Sequence, residues 1–278
     1  MDIMTTGDNN SNTMGRNRLT VRVSRYSLSF STVEMMPEGD NKIVFEPYTV
    51  KSGISMAANL REALKTAELP ARGIGRVTVM VDSPVLLVPA DMFRAEDCAL
   101  LYAHSYPYGQ NEVVLHNVLP ELNVVAAFAV NKDFKLVIDD HYRDAQFMCA
   151  MLPVWRYLYQ RSFVGSRSKM FGYFHDRKVD VFSFGQNRFK FCNSFAAPNA
   201  KDALYYLLNV WNQLMLKPEY DEMHIVGDIP EREWMVEELR RYLQRAYTIN
   251  PSGDFNRAPA TRIKGMPYDL VTYYVRGK

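Results

Sequence analysis

The sequence predicts an α/β protein with mixed sheets, in which one β-β-β-α-β unit is used twice. Three observations carry this expectation. Strands of two-residue period, joined by short polar turns, occur near the start and return near residue 170. Each set leads into a helix whose apolar residues recur at three and four positions. Each helix then leads into a short, wholly apolar strand of the kind buried in parallel sheets.

In the first half, Leu19–Val23 reads as a strand, Ser24-Arg25-Tyr26 as a turn and Ser27–Val33 as the returning strand. The turn Pro37–Asn41 leads to a third strand, Ile43–Val50. A helix over Ile54–Ala67 carries Met56, Leu60, Ala63, Leu64 and Ala67 on one stripe, and the strand Val77–Val81 exits through Asp82-Ser83-Pro84. In the second half the strand Met170–His175 turns through Asp176-Arg177-Lys178 into Val179–Phe184. Gly185-Gln186-Asn187 then turns into Arg188–Phe195. The helix Asn199–Leu216 carries Leu204, Leu207, Leu208, Trp211, Leu214 and Met215, and the strand Met223–Val226 exits through Gly227-Asp228-Ile229-Pro230. A right-handed crossover places the fourth strand beside the first in each unit.

Between the units lies an insert. It reads as a helix at Ala95–Ser105, a hairpin of Glu112–Val118 with Leu122–Val130, and a helix at Asp133–Tyr142 ending near Asp139-Asp140. A buried strand, Ala145–Met151, and a helix running from after Pro153 to Phe163 complete it. Gly165-Ser166-Arg167-Ser168 is the expected boundary. The expected organisation is a disordered lead-in at 1–17, a first lobe with an inserted subdomain at 18–165, and a second lobe with a C-terminal tail at 166–278. That tail follows a helix at Glu231–Arg245, is rich in Pro, Gly and basic residues from Asn250 to Pro267, and ends in a strand, Leu270–Val275.

Composition excludes more than it identifies. With 278 residues, 47% hydrophobic and 23% charged, the chain can bury a sizeable core. A formal net charge of +2 gives no bulk attraction to nucleic acid or to an anionic membrane. Cys98, Cys149 and Cys192 are far apart and form neither a disulfide framework nor a zinc motif, which fits buried thiols in a reducing compartment. Residues 1–18 lack the apolar core of a secretory signal, and no apolar run is long enough for a membrane helix, so the cytoplasm is expected.

A repeated β-β-β-α-β unit with an insertion in its first copy resembles the actin-like ATPase superfamily, built from two ribonuclease H-like lobes. The resemblance runs from residue 19 to about 249. His175–Phe195, HDRKVDVFSFGQNRFKFCNSF, looks like an uncharacterised bacterial family of unknown function with that fold. The chain is similar, more distantly, to the pilus-assembly and cell-division members of the superfamily.

The resemblance implies three nucleotide contacts, and each departs from the superfamily's pattern. The first two belong to the turns after the first strand of each lobe, where an Asp-x-Gly and further small residues let backbone N–H groups reach phosphate and let the Asp organise Mg²⁺. Here the first turn has Ser24 and Arg25 but neither Asp nor Gly, and the second has Asp176 and Lys178 but no Gly. The third contact is a Gly-rich turn after the last parallel strand. Its counterpart offers only Gly227 beside Asp228, with Glu231 and Glu233 at the following helix start, where acids cap and complement the helix dipole. Ser24, Arg25, Asp176, Lys178, Gly227 and Asp228 are therefore the expected remnants of a nucleotide cleft. No residue is assigned a catalytic or metal-binding role.

Nuclease chemistry on this fold needs acids on the first strand, and neither Leu19–Val23 nor Met170–His175 has one. His104, His116, His141, His175 and His224 lie on separate elements without ligand spacing and read as isolated histidines. The aromatics Trp155, Tyr157, Tyr159, Tyr205, Tyr206 and Trp211 suit a core, with some available to a partner. The functional expectation is a non-catalytic protein-interaction or scaffold module, without cofactor, that binds a protein partner or itself and neither nucleic acid nor a membrane span. The alternative is a divergent ATPase or phosphotransferase that takes ATP with Mg²⁺ through Asp176, Lys178 and Asp228.

Overall fold

Two five-stranded sheets of matching order form the body of the chain, as seen in a computed structural model that describes residues 18–35, 41–107 and 109–276. The lead-in expected at 1–17, and most of the turn expected at Pro37–Asn41, lie outside the described residues. The chain divides into two compact units. One holds the described residues through Val81 with Val130–Met148; the other holds Asp82–Ala129 with the described residues from Cys149 onward.

In the first unit, β1 (Leu19–Val23), β2 (Leu28–Met35) and β3 (Asn41–Tyr48) form an antiparallel meander. The helix α1 (Met56–Thr66) starts at Ser55, whose side chain accepts the N–H of Ala58, and is followed by the single turn α2 (Glu68–Ala71). Asn59 is fully buried on α1. It accepts the N–H of Lys51 and donates to the Lys51 carbonyl, fixing the chain that enters the helix. β4 (Arg76–Val81) then lies parallel to β1, with Leu19 opposite Val77 and Val23 opposite Val81, as the crossover requires. β1 is buried along its whole length although its sequence alternates, so the polar Thr20 and Arg22 are covered along with Leu19, Val21 and Val23.

The second unit begins with β5 (Val85–Pro89), which sequence periodicity did not mark, and α3 (Cys98–Ser105). β6 (Glu112–Leu119) and β7 (Val124–Asn131) form the expected hairpin and complete a three-stranded sheet of order β5-β7-β6. Cys98 and Tyr102 of α3 pack on Ala127 and Ala129 of β7. The chain then returns to the first unit, where Asn131 caps α4 (Lys132–His141), which packs on α1. β8 (Asp144–Cys149) is not the buried strand expected: it lies at the edge of the first sheet, where Gln146 is exposed, most other side chains are only partly covered and Cys149 alone is buried. α5 (Leu152–Ser162) includes Pro153 in its first turn, where the missing N–H costs nothing.

The repeat then returns as β9 (Lys169–His175), β10 (Lys178–Gly185), β11 (Arg188–Ala196), α6 (Ala200–Gln213) and β12 (Glu222–Gly227). β12 runs parallel to β9, and Leu207, Val210 and Trp211 of α6 close the core over Met170, Val179, Val181 and Ile225. α7 (Arg232–Tyr242) adds Met235 and Leu239 to that core, and the unexpected β13 (Ala246–Thr248) extends the sheet beside β12. After α8 (Pro251–Asp254) the chain ends in α9 (Tyr268–Arg276).

α9 corrects the strand expected at Leu270–Val275. Its β-branched residues favour extended backbone, but three local features favour the helix. The Thr272 hydroxyl bonds back to the carbonyls of Tyr268 and Asp269. The fully buried Asp269 meets the Tyr173 hydroxyl at 3.1 Å. The helix also packs along α5. Tertiary packing overrides propensity here.

Candidate functional site

The first-strand turns are where the two sheets differ most. Between β1 and β2, Ser24 Oγ accepts the N–H groups of Tyr26 at 3.1 Å and Ser27 at 3.0 Å. The Ser24 N–H donates to the Ser27 carbonyl at 2.9 Å. The buried Arg22 donates to Ser27 Oγ at 2.9 Å, and the two serine hydroxyls lie 2.8 Å apart. These turn amides are engaged by the turn's own groups. Arg25 projects to solvent, its guanidinium 5.4 Å from the Tyr26 ring.

Between β9 and β10 the link is only two residues. Asp176 and Arg177 both have positive φ, 45° and 62°, so the chain makes a primed hairpin turn without glycine, closed by the pairing of His175 with Lys178. An aspartate tolerates this region and an arginine does so less readily.

A cluster of five charged side chains is built on that turn. The Lys178 ammonium lies 2.7 Å from Asp82 Oδ1 and 3.8 Å from Asp180 Oδ2. His175 Nε2 lies 2.5 Å from Asp180 Oδ2, and its Nδ1 lies 3.3 Å from Asp176 Oδ2 and 3.5 Å from Asp82 Oδ2. The Tyr173 ring stacks on the imidazole with centroids 4.2 Å apart. His175 is only 4% exposed and the Asp82 side chain 5%.

Burial would depress the imidazole pKa, but the hydrogen bonds its protonated ring donates to Asp176 and Asp180 outweigh it and raise it to about 9. Burial would raise Asp180, yet the Lys178 charge and the His175 bond bring it down to about 2. Asp180 and Asp82 outweigh burial at Lys178 and hold it above its usual range. Neighbouring thiols are inert: burial pushes Cys149 up to about 12 and raises Cys192 well above its ordinary value.

The third contact is closed by backbone. Gly227 ends β12 at φ 98°, and a Cβ there would lie 2.0 Å from the Phe174 carbonyl oxygen. The next residue, Asp228, donates its N–H to that same carbonyl at 2.8 Å. The glycine therefore serves a close approach of two strand ends. The acids after it do not cap as expected: Glu231 occupies the N-cap position of α7 in a left-handed conformation, and its side chain makes no capping bond.

Asp176, Lys178, Gly227 and Asp228 thus gather at one end of the second sheet, while Ser24 and Arg25 lie on the equivalent turn of the first. The isolated reading of His175 is corrected, since three carboxylates and an ammonium surround it. The turn is one residue shorter than the Asp176-Arg177-Lys178 expected, so Lys178 opens β10 directly opposite His175. Asp82 arrives from a distant loop, and no local signal marks it.

A second concavity in the same unit, about 520 Å³, is lined by residues that include Arg161, Lys169, Glu222 and His224. His224 Nε2 sits 3.0 Å from Glu222, and burial lowers its pKa.

The model of a family described as "Protein of unknown function (DUF3822)" matches residues 6–245. The chain belongs to that family. It is also similar to a Bacteroides thetaiotaomicron VPI-5482 protein described as having an actin-like ATPase fold and unknown function. The two are 26% identical with a TM-score of 0.78, over 91% of this chain and 99% of that one. The PilM-PilN type IV pilus biogenesis complex contains a chain of like fold, 12% identical with a TM-score of 0.52, over 93% of this chain and 97% of that one. No curated protein matches. This family member has the actin-like ATPase fold, with two sheets of duplicated order.

Proposed function

We propose that this chain is a non-catalytic protein-interaction module, an actin-like body whose phosphate turns have been given over to holding the protein together. The observation that carries this reading is the pairing of Lys178 with Asp82 and Asp180. The cation in the second phosphate turn is neutralised internally, so a phosphate would have to displace a carboxylate to reach it. The first turn supports the same reading through Ser24, which occupies the amides a phosphate would use.

A binding role needs surface, and the second unit has it. Met215 is 85% exposed, Val164 70% and Tyr205 65%, each a large apolar side chain facing solvent. Among the described residues no helix is long and apolar enough to cross a membrane. Thermal-shift measurements with Mg²⁺-ATP and Mg²⁺-ADP, beside an assay of phosphate release, test the reading. We expect no shift at millimolar nucleotide and no release above background. A stabilisation that requires Mg²⁺ and saturates in the micromolar range would assign the chain to divergent ATPases acting through Asp176, Lys178 and Asp228.

A further inference from the structure

We propose that Asp82, His175 and Asp176 form a binding site for one divalent transition-metal ion of the zinc type, with Asp180 as its positioning residue. One ligand atom from each of the three residues lies within 4.8 Å of the other two. Around an ion bound at about 2.1 Å, neighbouring tetrahedral ligands are about 3.4 Å apart. His175 Nδ1 lies 3.3 Å from Asp176 Oδ2 and 3.5 Å from Asp82 Oδ2, so two edges of such a site are already at their bound length.

The arrangement around the ligands also fits. Asp180 sits on the other ring nitrogen, so Nε2–H donates to it, and a metal that displaces the Nδ1 proton meets that nitrogen's lone pair beside the two carboxylates. That carboxylate–histidine pairing orients metal-binding imidazoles generally. Lys178 holds Asp82 through Oδ1 and leaves Oδ2 toward the imidazole. Three carboxylates face one ammonium, so a divalent ion beside a neutral imidazole brings the cluster to zero charge. One nitrogen and two carboxylate oxygens suit zinc, manganese or iron(II) better than a thiophilic ion. Asp176 stands in the hairpin turn with 13% of its side chain exposed and provides the way in. Three protein ligands leave a coordination position for water.

This inference does not depend on the interaction reading. The test uses the full chain stripped with a chelator and titrated with Zn²⁺ by calorimetry, and with Co²⁺ by visible absorption. We expect one ion per chain and Co²⁺ bands of a nitrogen–oxygen site. Asp176→Asn and His175→Gln should each weaken binding by about 100-fold, and Asp180→Asn by about 10-fold, with the Co²⁺ bands altered. Circular dichroism checks folding; if His175→Gln unfolds, the partly exposed Asp176→Asn decides alone. Failure of the wild-type chain to bind Zn²⁺ stoichiometrically at micromolar concentration overturns the proposal. So does binding that Asp176→Asn leaves unchanged.

Discussion

The turn after β1 and the turn after β9 occupy the same place in two copies of one topology, yet they are held by different chemistry. The first is fixed by neutral and singly charged donors: two serine hydroxyls and the Arg22 guanidinium. The second is fixed by an imidazole, an ammonium and three carboxylates. Strand order is set by burial and crossover handedness, which the repeat preserves. Turn chemistry answers only to the groups that the turn must satisfy, and it has diverged.

The strand ends beside these turns give the largest expected contrast. Val81, opposite Val23 at the end of β4, carries a side chain; Gly227, opposite Phe174, cannot. Gly227→Ala should therefore cost at least about 4 kcal/mol or abolish soluble expression, because backbone must move. Val81→Ala should cost only about 1–2 kcal/mol in urea unfolding. Equal effects would erase the distinction between the two ends.

Lys178→Met comes next. It leaves Asp82 buried without its ammonium, with an expected loss of about 3 kcal/mol in chemical unfolding. A neutral effect would show that the cluster does not depend on the lysine.

The pH dependence of metal-stripped protein sharpens the comparison further. The His175 pKa stands near 9 in the folded chain against an ordinary 6.5, held there by Asp176, Asp180 and Asp82 with Lys178 beside them. The folded state binds the extra proton, so that contribution is complete below pH 6.5 and is lost as pH rises through 9. Asp180 acts oppositely, its contribution being lost as pH falls from its ordinary 3.8 through about 2. Melting temperature should fall between pH 6.5 and 9, and His175→Gln should flatten that slope. The first turn, carrying only arginine and hydroxyls, should contribute nothing there.

Smallest is Ser24→Ala, which removes the acceptor of two turn amides and should cost about 1 kcal/mol. A loss as large as that for Lys178→Met would mean that the two turns matter equally to stability.

Most of the repeat was legible because it rests on local pattern: the stripes of α1 and α6, the apolar runs of β4 and β12, and a turn residue between each pair of strands. What escaped was set by tertiary contact. β13 is three residues long and exists because β12 offers a parallel edge. α9 has a strand-like composition and is helical because Asp269 and its neighbours dock on Tyr173 and α5. The site followed the same rule. Asp176 and Lys178 could be named from the hairpin, whereas Asp82 joins them across 96 positions of sequence, a separation at which no periodicity operates.

The most direct measurement is a calorimetric titration of the full chain with Mg²⁺-ATP. With Lys178 held by Asp82 and the Ser24 turn satisfied by its own groups, no binding heat is expected up to millimolar nucleotide. A saturable, Mg²⁺-dependent isotherm with micromolar affinity would contradict the view that these turns are closed.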